Sequence, residues 1–334
     1  MKLKIAFSDF WATFVPEKFW LYQQIAKQYD CNIVGAEETP DILFYSCFGN
    51  DHLVSDAKMR IYFTGENDVP DFNLCDYAIS FHHLDFGSRH LRLPLYAVYP
   101  SFDVLRKGER GEASFDRKFC SFVVSNNFCA DSKREEFFHK LSEYKRVDSG
   151  GRYLNNIGGP VDDKLKFLRE YKFNIAFENS AVDGYTTEKL VDALAAGTLP
   201  IYWGNPRVNL DFPKDCFIDV ADFKTVSEAI EYVIKVDNDR ELYETYFHTT
   251  PHIDNPFLEW EKMFMDFFDG IISYGKPRIP EYGIWRIKRE ELMLSRRIGR
   301  INMVTKNVEF FERAATLKNK IFGLKDSLML FGKK

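Results

Sequence analysis

YKFNIAFENSAVDGYTTEKLVDALAAGTLPIYWG, residues 171–204, alternates apolar runs with a single polar turn. Residues 173–177 are apolar and aromatic, the chemistry of a short strand. Residues 178–185 are polar and include Gly184, so they form a loop. Thr186 or Thr187 can cap a helix over 188–196, and Gly197 ends it. Residues 199–203 read as the next strand, broken by Gly204 and Pro206. The stretch is therefore one βαβ unit, with a right-handed crossover and parallel strands.

Working outward, the same alternation recurs on both sides. Strands are expected over 2–7, 31–34, 41–47, 59–63 and 76–81, with an amphipathic helix over 17–29. SFDVLRKGERGEASFD, residues 101–116, breaks the pattern with two glycines and mixed charge. Beyond it come a strand over 119–124, a helix over 132–143, a glycine-rich loop between SGGR (149–152) and IGGP (157–160), and a helix over 163–171. A strand over 217–220 and helices over 225–236 and 240–247 follow the central unit. Strands alternating with helices give doubly wound α/β sheets. The expected division is a first domain over 1–115, a second over 116–274, and a helical, basic, amphipathic tail over 275–334.

The chain has 334 residues, 45% hydrophobic, which suits two globular domains with sizeable cores. Aromatics reach 16%, and exposed aromatic faces suit sugar rings. The net charge of −5 argues against a nucleic-acid partner. That charge is uneven: residues 281–334 carry 13 Lys/Arg against 6 Asp/Glu, a surplus of +7 that leaves −12 on the rest. Such a tail fits an anionic bilayer surface, another helix, or the same tail of a second subunit in a homodimer. The six cysteines form no CxxC pair and are expected to be mostly buried thiols, with a Cys120–Cys129 pairing left open. Lys2 and Lys4 precede a strand rather than a long apolar core, and no run reaches the ~18 apolar residues of a membrane span. The expected location is cytoplasmic, peripheral at the inner face of the membrane if the tail attaches there.

In a parallel sheet, ligands gather where strands end and helices begin. Glu178, Asn179 and Ser180 lie there, followed by Tyr185, Glu188 and Lys189. A helix N-terminus and a lysine favour an anion, while Glu188 would repel phosphate and suits hydroxyls such as a ribose diol. Together they suit a nucleoside diphosphate; the plain alternative is a capped helix with Lys189 and Asp192 as a solvated pair. Transfer of a sugar from such a donor needs a base for the acceptor hydroxyl and cations for the leaving diphosphate. Glu66, in TGEN just after a strand, is the candidate base, or else a turn glutamate between Gly65 and Asn67. Asp237–Asn238–Asp239 matches an Asp-x-Asp metal site only formally, since it falls between two expected helices. No metal is obligatory where arginine and lysine neutralise the phosphates, which leaves Mn2+ or Mg2+ as stimulants at most. His82 and His83 are loop residues, with ligand or acceptor contacts as the alternative.

FENS, GYTTEKL and PIYWG resemble the signature of the α-1,3-fucosyltransferases, including the bacterial enzymes that make Lewis-type glycans. IYFTGENDVPDFNLCDYAISF (61–81) and SFVVSNNFCADSKREEFF (121–138) supply two further blocks in the family's order. The resemblance implies a GT-B architecture, two Rossmann-like domains facing a cleft, and an inverting transfer of L-fucose from GDP-β-L-fucose to the 3-hydroxyl of N-acetylglucosamine in lactosamine-type acceptors. It implies Glu66 as general base, Arg134 and Lys189 as phosphate cations, Glu188 at the ribose, and Asn179 and Tyr185 as nucleotide contacts. Glu178 is an alternative for sugar hydroxyls. Lys133 and Arg152 are rivals to Arg134, which could also pair with Glu135 or Glu136 on a solvated face. The acceptor is expected on the first domain, at loops 10–14, 67–71 and 82–85. The heptad spacer common before the tail of bacterial relatives is absent from the sequence.

Overall fold

The computed structural model describes residues 2–279 apart from 126, 128, 129 and 252–254, and beyond them 289, 292–297, 299–301, 303 and 304. The expected tail helices over 282–322 and 317–331 and the thiol of Cys129 fall largely or wholly outside those residues.

The first half builds a six-stranded parallel sheet from β1 (Leu3–Ser8), β2 (Cys31–Ile33), β3 (Ile42–Tyr45), β4 (Met59–Phe63), β5 (Tyr77–Ser80) and β6 (His90–Arg92). Their order is β2-β1-β3-β4-β5-β6. Strands β3, β4 and β5 are buried at every position, Arg60 of β4 and Ser80 of β5 included, as inner strands of a parallel sheet are. The second half builds a five-stranded parallel sheet from β7 (Lys118–Phe122), β8 (Val147–Ser149), β9 (Tyr171–Phe177), β10 (Leu199–Trp203) and β11 (Ile218–Asp219), in the order β11-β10-β9-β7-β8. In each sheet the order reverses next to the first strand, between β1 and β3 and between β7 and β9. Such switch points are where doubly wound sheets take ligands.

Helices fill the layers. They are α1 (Trp20–Gln28), α2 (Pro100–Arg106), α3 (Lys133–Tyr144), α4 (Lys164–Leu168), α5 (Glu188–Ala196), α6 (Val226–Asn238), α7 (Arg240–Thr245) and α8 (Trp260–Tyr274). The expected helix over 17–29 is split: Pro16–Lys18 is a 3-10 turn, Phe19 is extended, and the α-helix begins at Trp20. Residues expected to break the pattern around 101–116 include α2, which packs on α5. Helix α5 is the central helix, with every residue from Leu190 to Ala196 buried. It ends at Gly197, whose φ of 68° is the left-handed cap expected of that glycine.

Helix α8 returns to the first sheet. Its Trp260 meets Trp20 of α1 edge-on at 5.3 Å, and Phe268 meets Tyr29 at 5.4 Å. One continuous apolar core therefore holds Ile5, Ile61 and Phe81 from the first sheet, Ala176 and Tyr202 from the second, and Phe264 and Phe268 from α8. The strand ends of the two sheets meet. Asn67 after β4 donates to Ser180 Oγ after β9 at 3.0 Å, and Arg92 of β6 grips Asp211 with two nitrogens at 2.7 and 3.2 Å. These are two Rossmann-like sheets facing a cleft, the GT-B architecture.

Candidate functional site at the strand ends

β9 delivers the chain to Glu178, a fully buried carboxylate. Burial demands partners. Thr187 N donates to its Oε1 at 2.8 Å, while Thr187 Oγ1 at 2.8 Å and Lys189 Nζ at 3.1 Å donate to Oε2. Burial still raises its pKa, against the pull of Lys189 and Thr187. Lys189 Nζ also donates to Thr187 Oγ1 at 2.9 Å and lies 3.4 Å from Glu188. Burial disfavours its charge, but the two glutamates outweigh that and raise its pKa. Burial likewise opposes the charge of Glu188, yet Lys189 and Lys164 hold its carboxyl at about 2.

Two expectations change here. Thr187 sits at the cap position of α5, but its hydroxyl is committed to Glu178 and makes no cap. Lys189 and Asp192 are not a solvated pair. Asp192 is buried, 2.6 Å from Lys164, and accepts from Ser101 of α2. Lys164 enters the site from α4, which the local spacing around 188–192 could not reveal.

Arg134, near the start of α3, is 0% exposed. Its Nη2 donates to the Phe177 carbonyl at 3.1 Å and to Asn179 Oδ1 at 2.6 Å. Its Nε and Nη1 are buried with no partner. Burial lowers its pKa. It is therefore not the solvated partner of Glu135 or Glu136; Glu135 accepts from Tyr153 Oη instead, at 2.7 Å. Of the other two candidates, Lys133 sits over the ring of Trp203, at the end of the neighbouring β10, at 4.8 Å, and Arg152 is exposed in the turn after β8. The structure thus brings Arg134, Asn179, Glu178, Glu188 and Lys189 together at the β7/β9 switch point and leaves Arg152 at the surface.

Glu66 stands on the opposing edge. It is exposed, two residues past Thr64, whose Oγ1 accepts from Glu66 N at 3.1 Å. Tyr185 is buried against Phe81, ring centres 5.0 Å apart. Burial pushes its hydroxyl to about 12, and Glu178, Glu66 and Glu188 add to that against Lys189. Tyr185 thus packs from the loop between β9 and α5 onto Phe81, just past the end of β5. Gly184 makes this possible. Its φ is +84°, and a Cβ there would lie 2.4 Å from Phe81 O. Asn205 Oδ1 accepts from Gly184 N at 2.8 Å and Asn205 Nδ2 donates to Thr186 Oγ1 at 3.1 Å, so Asn205 holds the same loop. No sequence pattern marked Asn205, because its partners lie about twenty residues upstream.

His82 is buried, its Nδ1 3.3 Å from Ser80 Oγ and its Nε2 without a partner, and burial lowers its pKa. His83 lies 3.9 Å from Asp183 across the junction of the two lobes. Asp237 is not disposed as a metal ligand: it is buried, accepts from Lys145 at 2.6 Å and Tyr144 at 3.0 Å, and pairs with Lys172. Asp239 caps α7 through Leu242 N at 3.0 Å. Among the described cysteines, Cys75, Cys120 and Cys216 are buried, Cys31 is half-buried and Cys47 is exposed, all as free thiols.

Residues 114–269 match the model of the glycosyltransferase family 10 (fucosyltransferase) C-terminal region, and residues 5–99 match the alpha-(1,3)-fucosyltransferase FucT N-terminal domain. The chain is 33% identical over 290 residues to the alpha-(1,3)-fucosyltransferase FucT of Helicobacter pylori, covering 75% of this chain and 60% of that protein. It is 30% identical to the human GDP-fucose protein O-fucosyltransferase 3 over 195 residues, covering 53% of this chain and 40% of the relative. A crystal structure of an alpha1,3-fucosyltransferase superposes with a TM-score of 0.71 at 30% identity, covering 84% of this chain and 92% of the other. One with GDP-fucose gives 0.68 at 32% identity, covering 81% and 90%.

Proposed function

The chain belongs to glycosyltransferase family 10, the fucosyltransferases, and on that premise we propose that it transfers L-fucose from GDP-β-L-fucose to the 3-hydroxyl of N-acetylglucosamine in a lactosamine-type acceptor. The acceptor oxygen attacks C1 of fucose as the C1–phosphate bond breaks. The acceptor proton goes to the Glu66 carboxylate, and the bonding electrons leave with GDP. One displacement inverts a β donor to an α product without an enzyme nucleophile. What supports this most is Arg134: a buried guanidinium with two unpartnered N–H groups, next to Asn179 and across the cleft from Glu66. Unpaired buried donors cost stability unless a ligand satisfies them.

The other roles follow from placement. Asn179 orients Arg134. Glu188 is the acceptor for ribose hydroxyls, being held charged by Lys164 and Lys189. Lys189 supplies positive charge from behind Glu178, whose buried carboxylate anchors the loop rather than meeting sugar. Tyr185 closes the nucleotide side. In this reading no metal is obligatory, because Arg134 and Lys189 neutralise the leaving diphosphate, and Mn2+ or Mg2+ would at most stimulate.

The reading is tested by release of GDP from GDP-fucose with and without N-acetyllactosamine, in wild type and Glu66→Gln. Loss of a general base should cut acceptor-dependent turnover by about 10²–10⁴-fold. Unchanged turnover in the variant would move the base elsewhere.

The tail is assigned to peripheral membrane contact on the cytoplasmic side. Its basic surplus and the exposed Met293, Leu294, Ile301, Met303 and Val304 suit an anionic bilayer surface. Among the described residues no helix is long and apolar enough to cross a membrane. Deleting residues 281–334 should remove flotation with anionic vesicles and leave kcat within a few-fold of the full chain. A large fall in kcat of the soluble truncated protein would refute this.

A further inference from the structure

His82 stands two residues past the end of β5, where the two lobes meet. It is 6% exposed, its ring stacks on Phe81 with centres 4.0 Å apart, and its Nε2 has no hydrogen-bond partner among the described residues. Neither the nucleotide contacts nor the proton transfer to Glu66 uses it.

What that nitrogen can do follows from its neighbours. His90 Nδ1 lies 3.1 Å from the Leu84 carbonyl oxygen, and a carbonyl only accepts, so His90 Nδ1 carries a proton. Burial lowers the pKa of His90 to about 4, so the ring is neutral and its Nε2 is bare. Ser80 Oγ, 2.9 Å from that Nε2, therefore gives it its single proton. Only lone pairs of Ser80 Oγ remain for His82 Nδ1 at 3.3 Å, so His82 Nδ1 is the donor of that pair. Burial also disfavours the charged form of His82, against the fields of Asp68 and Asp183. One backbone carbonyl thus fixes two imidazole tautomers in turn, and His82 Nε2 ends as a buried, bare lone pair.

A buried acceptor without a donor costs free energy that an incoming O–H would recover. The ionised diphosphate of a sugar nucleotide brings no proton, so it is not the partner. The surroundings of His82 select among the hydroxyls. Phe81, on which it stacks, holds its ring 5.0 Å from that of Tyr185, and a Cβ on Gly184 would lie 2.4 Å from the Phe81 carbonyl oxygen. His82 is thereby built onto the loop that carries the nucleotide contacts. Asp68, two residues past Glu66, acts on it from the first lobe, and Asp183 from the second. A sugar with its phosphate at Arg134 and its C1 before a hydroxyl at Glu66 must cross this junction. We infer that His82 Nε2 accepts a hydrogen bond from a hydroxyl of the sugar being transferred, which makes His82 a contact of the donor's sugar and not of its nucleotide or of the acceptor. The inference rests on the fucosyl-transfer reading above.

The test separates the sugar from its nucleotide. Titration calorimetry gives Kd for GDP and for GDP-fucose in wild type, His82→Phe and His82→Gln. Phenylalanine keeps the stack on Phe81 and removes the acceptor, while glutamine restores one in its amide oxygen. GDP should bind all three alike, which also checks that each variant folds. GDP-fucose should bind His82→Phe at least tenfold more weakly than wild type, and His82→Gln should recover part of the loss. Among GDP-fucose analogues lacking the 2-, 3- or 4-hydroxyl, one should lose at least tenfold on wild type and nothing further on His82→Phe. Unchanged GDP-fucose affinity in His82→Phe would overturn the contact, and so would equal losses for every analogue in wild type and variant. A rise in KM for the lactosamine acceptor with GDP-fucose affinity intact would overturn it too. A wild type that binds GDP but neither binds nor turns over GDP-fucose would instead defeat the transfer reading, whatever the variants do.

Discussion

At the residue scale, Arg134 is a buried guanidinium whose Nε and Nη1 find no partner in the folded chain. Burial disfavours its charge, the carboxylates of Glu178 and Glu188 offset only part of that, and a phosphate arriving at Nε and Nη1 would supply the missing acceptors. Arg134→Met replaces the charge with an apolar side chain of similar reach. The ligand-free variant should melt at a higher temperature than wild type, while its affinity for GDP falls by at least tenfold. A lower melting temperature together with unchanged GDP affinity would show that Arg134 is a structural residue. Glu178 makes the opposite case. Its three donors satisfy it inside the protein, so its carboxylate is occupied before any ligand arrives. The two residues lie at the same strand ends, but Glu178 has its partners inside the protein while Arg134 keeps two N–H-bearing nitrogens unpartnered.

At the element scale, the loop between β9 and α5 is positioned by backbone geometry. Gly184 at φ +84° lets the loop approach Phe81 at the end of β5, and Asn205 after β10 ties it down. Gly184→Ala adds a left-handed penalty of about 1–2 kcal/mol and a Cβ 2.4 Å from Phe81 O. The loop should shift, raising KM for GDP-fucose several-fold with a smaller change in kcat. A variant with wild-type KM and wild-type melting temperature would show that the close approach is dispensable. The βα unit itself is robust because each part of it is locally encoded: β9 by an apolar run, α5 by its periodicity, and its end by Gly197.

At the scale of the molecule, the chain does not divide cleanly into consecutive halves. Helix α8 follows the second sheet in sequence but packs on α1 beneath the first, with Phe268 fully buried against Tyr29. Phe268→Ala should therefore destabilise the lobe that carries Glu66, by about 3–5 kcal/mol. Hydrogen exchange is the discriminating measurement: loss of protection in β1 and β3, with β9 and β10 spared, would establish the link. Loss confined to β9 and β10 would contradict it. Together with the Arg92–Asp211 pair and the Asn67–Ser180 hydrogen bond, α8 couples the lobe carrying Glu66 to the lobe carrying Arg134.

The sequence by itself determined the βαβ unit over 171–204, most strands of both sheets and the candidate residues Glu66, Arg134, Glu188 and Lys189. Period, turn residues and motif order are local properties, and a chain displays them without folding. It did not show β6 and β8, which are three residues each, nor α8, whose apolar face makes sense only against α1. Only the tertiary structure decided that Arg134 is buried with its Nε and Nη1 unpartnered, that Thr187 serves Glu178 rather than the helix end, and that Lys164 and Asn205 stand at the candidate site. The reason is physical: burial and pairing depend on which distant segments arrive at the same place, and desolvation then makes one partner count more than a whole pattern of neighbours in sequence.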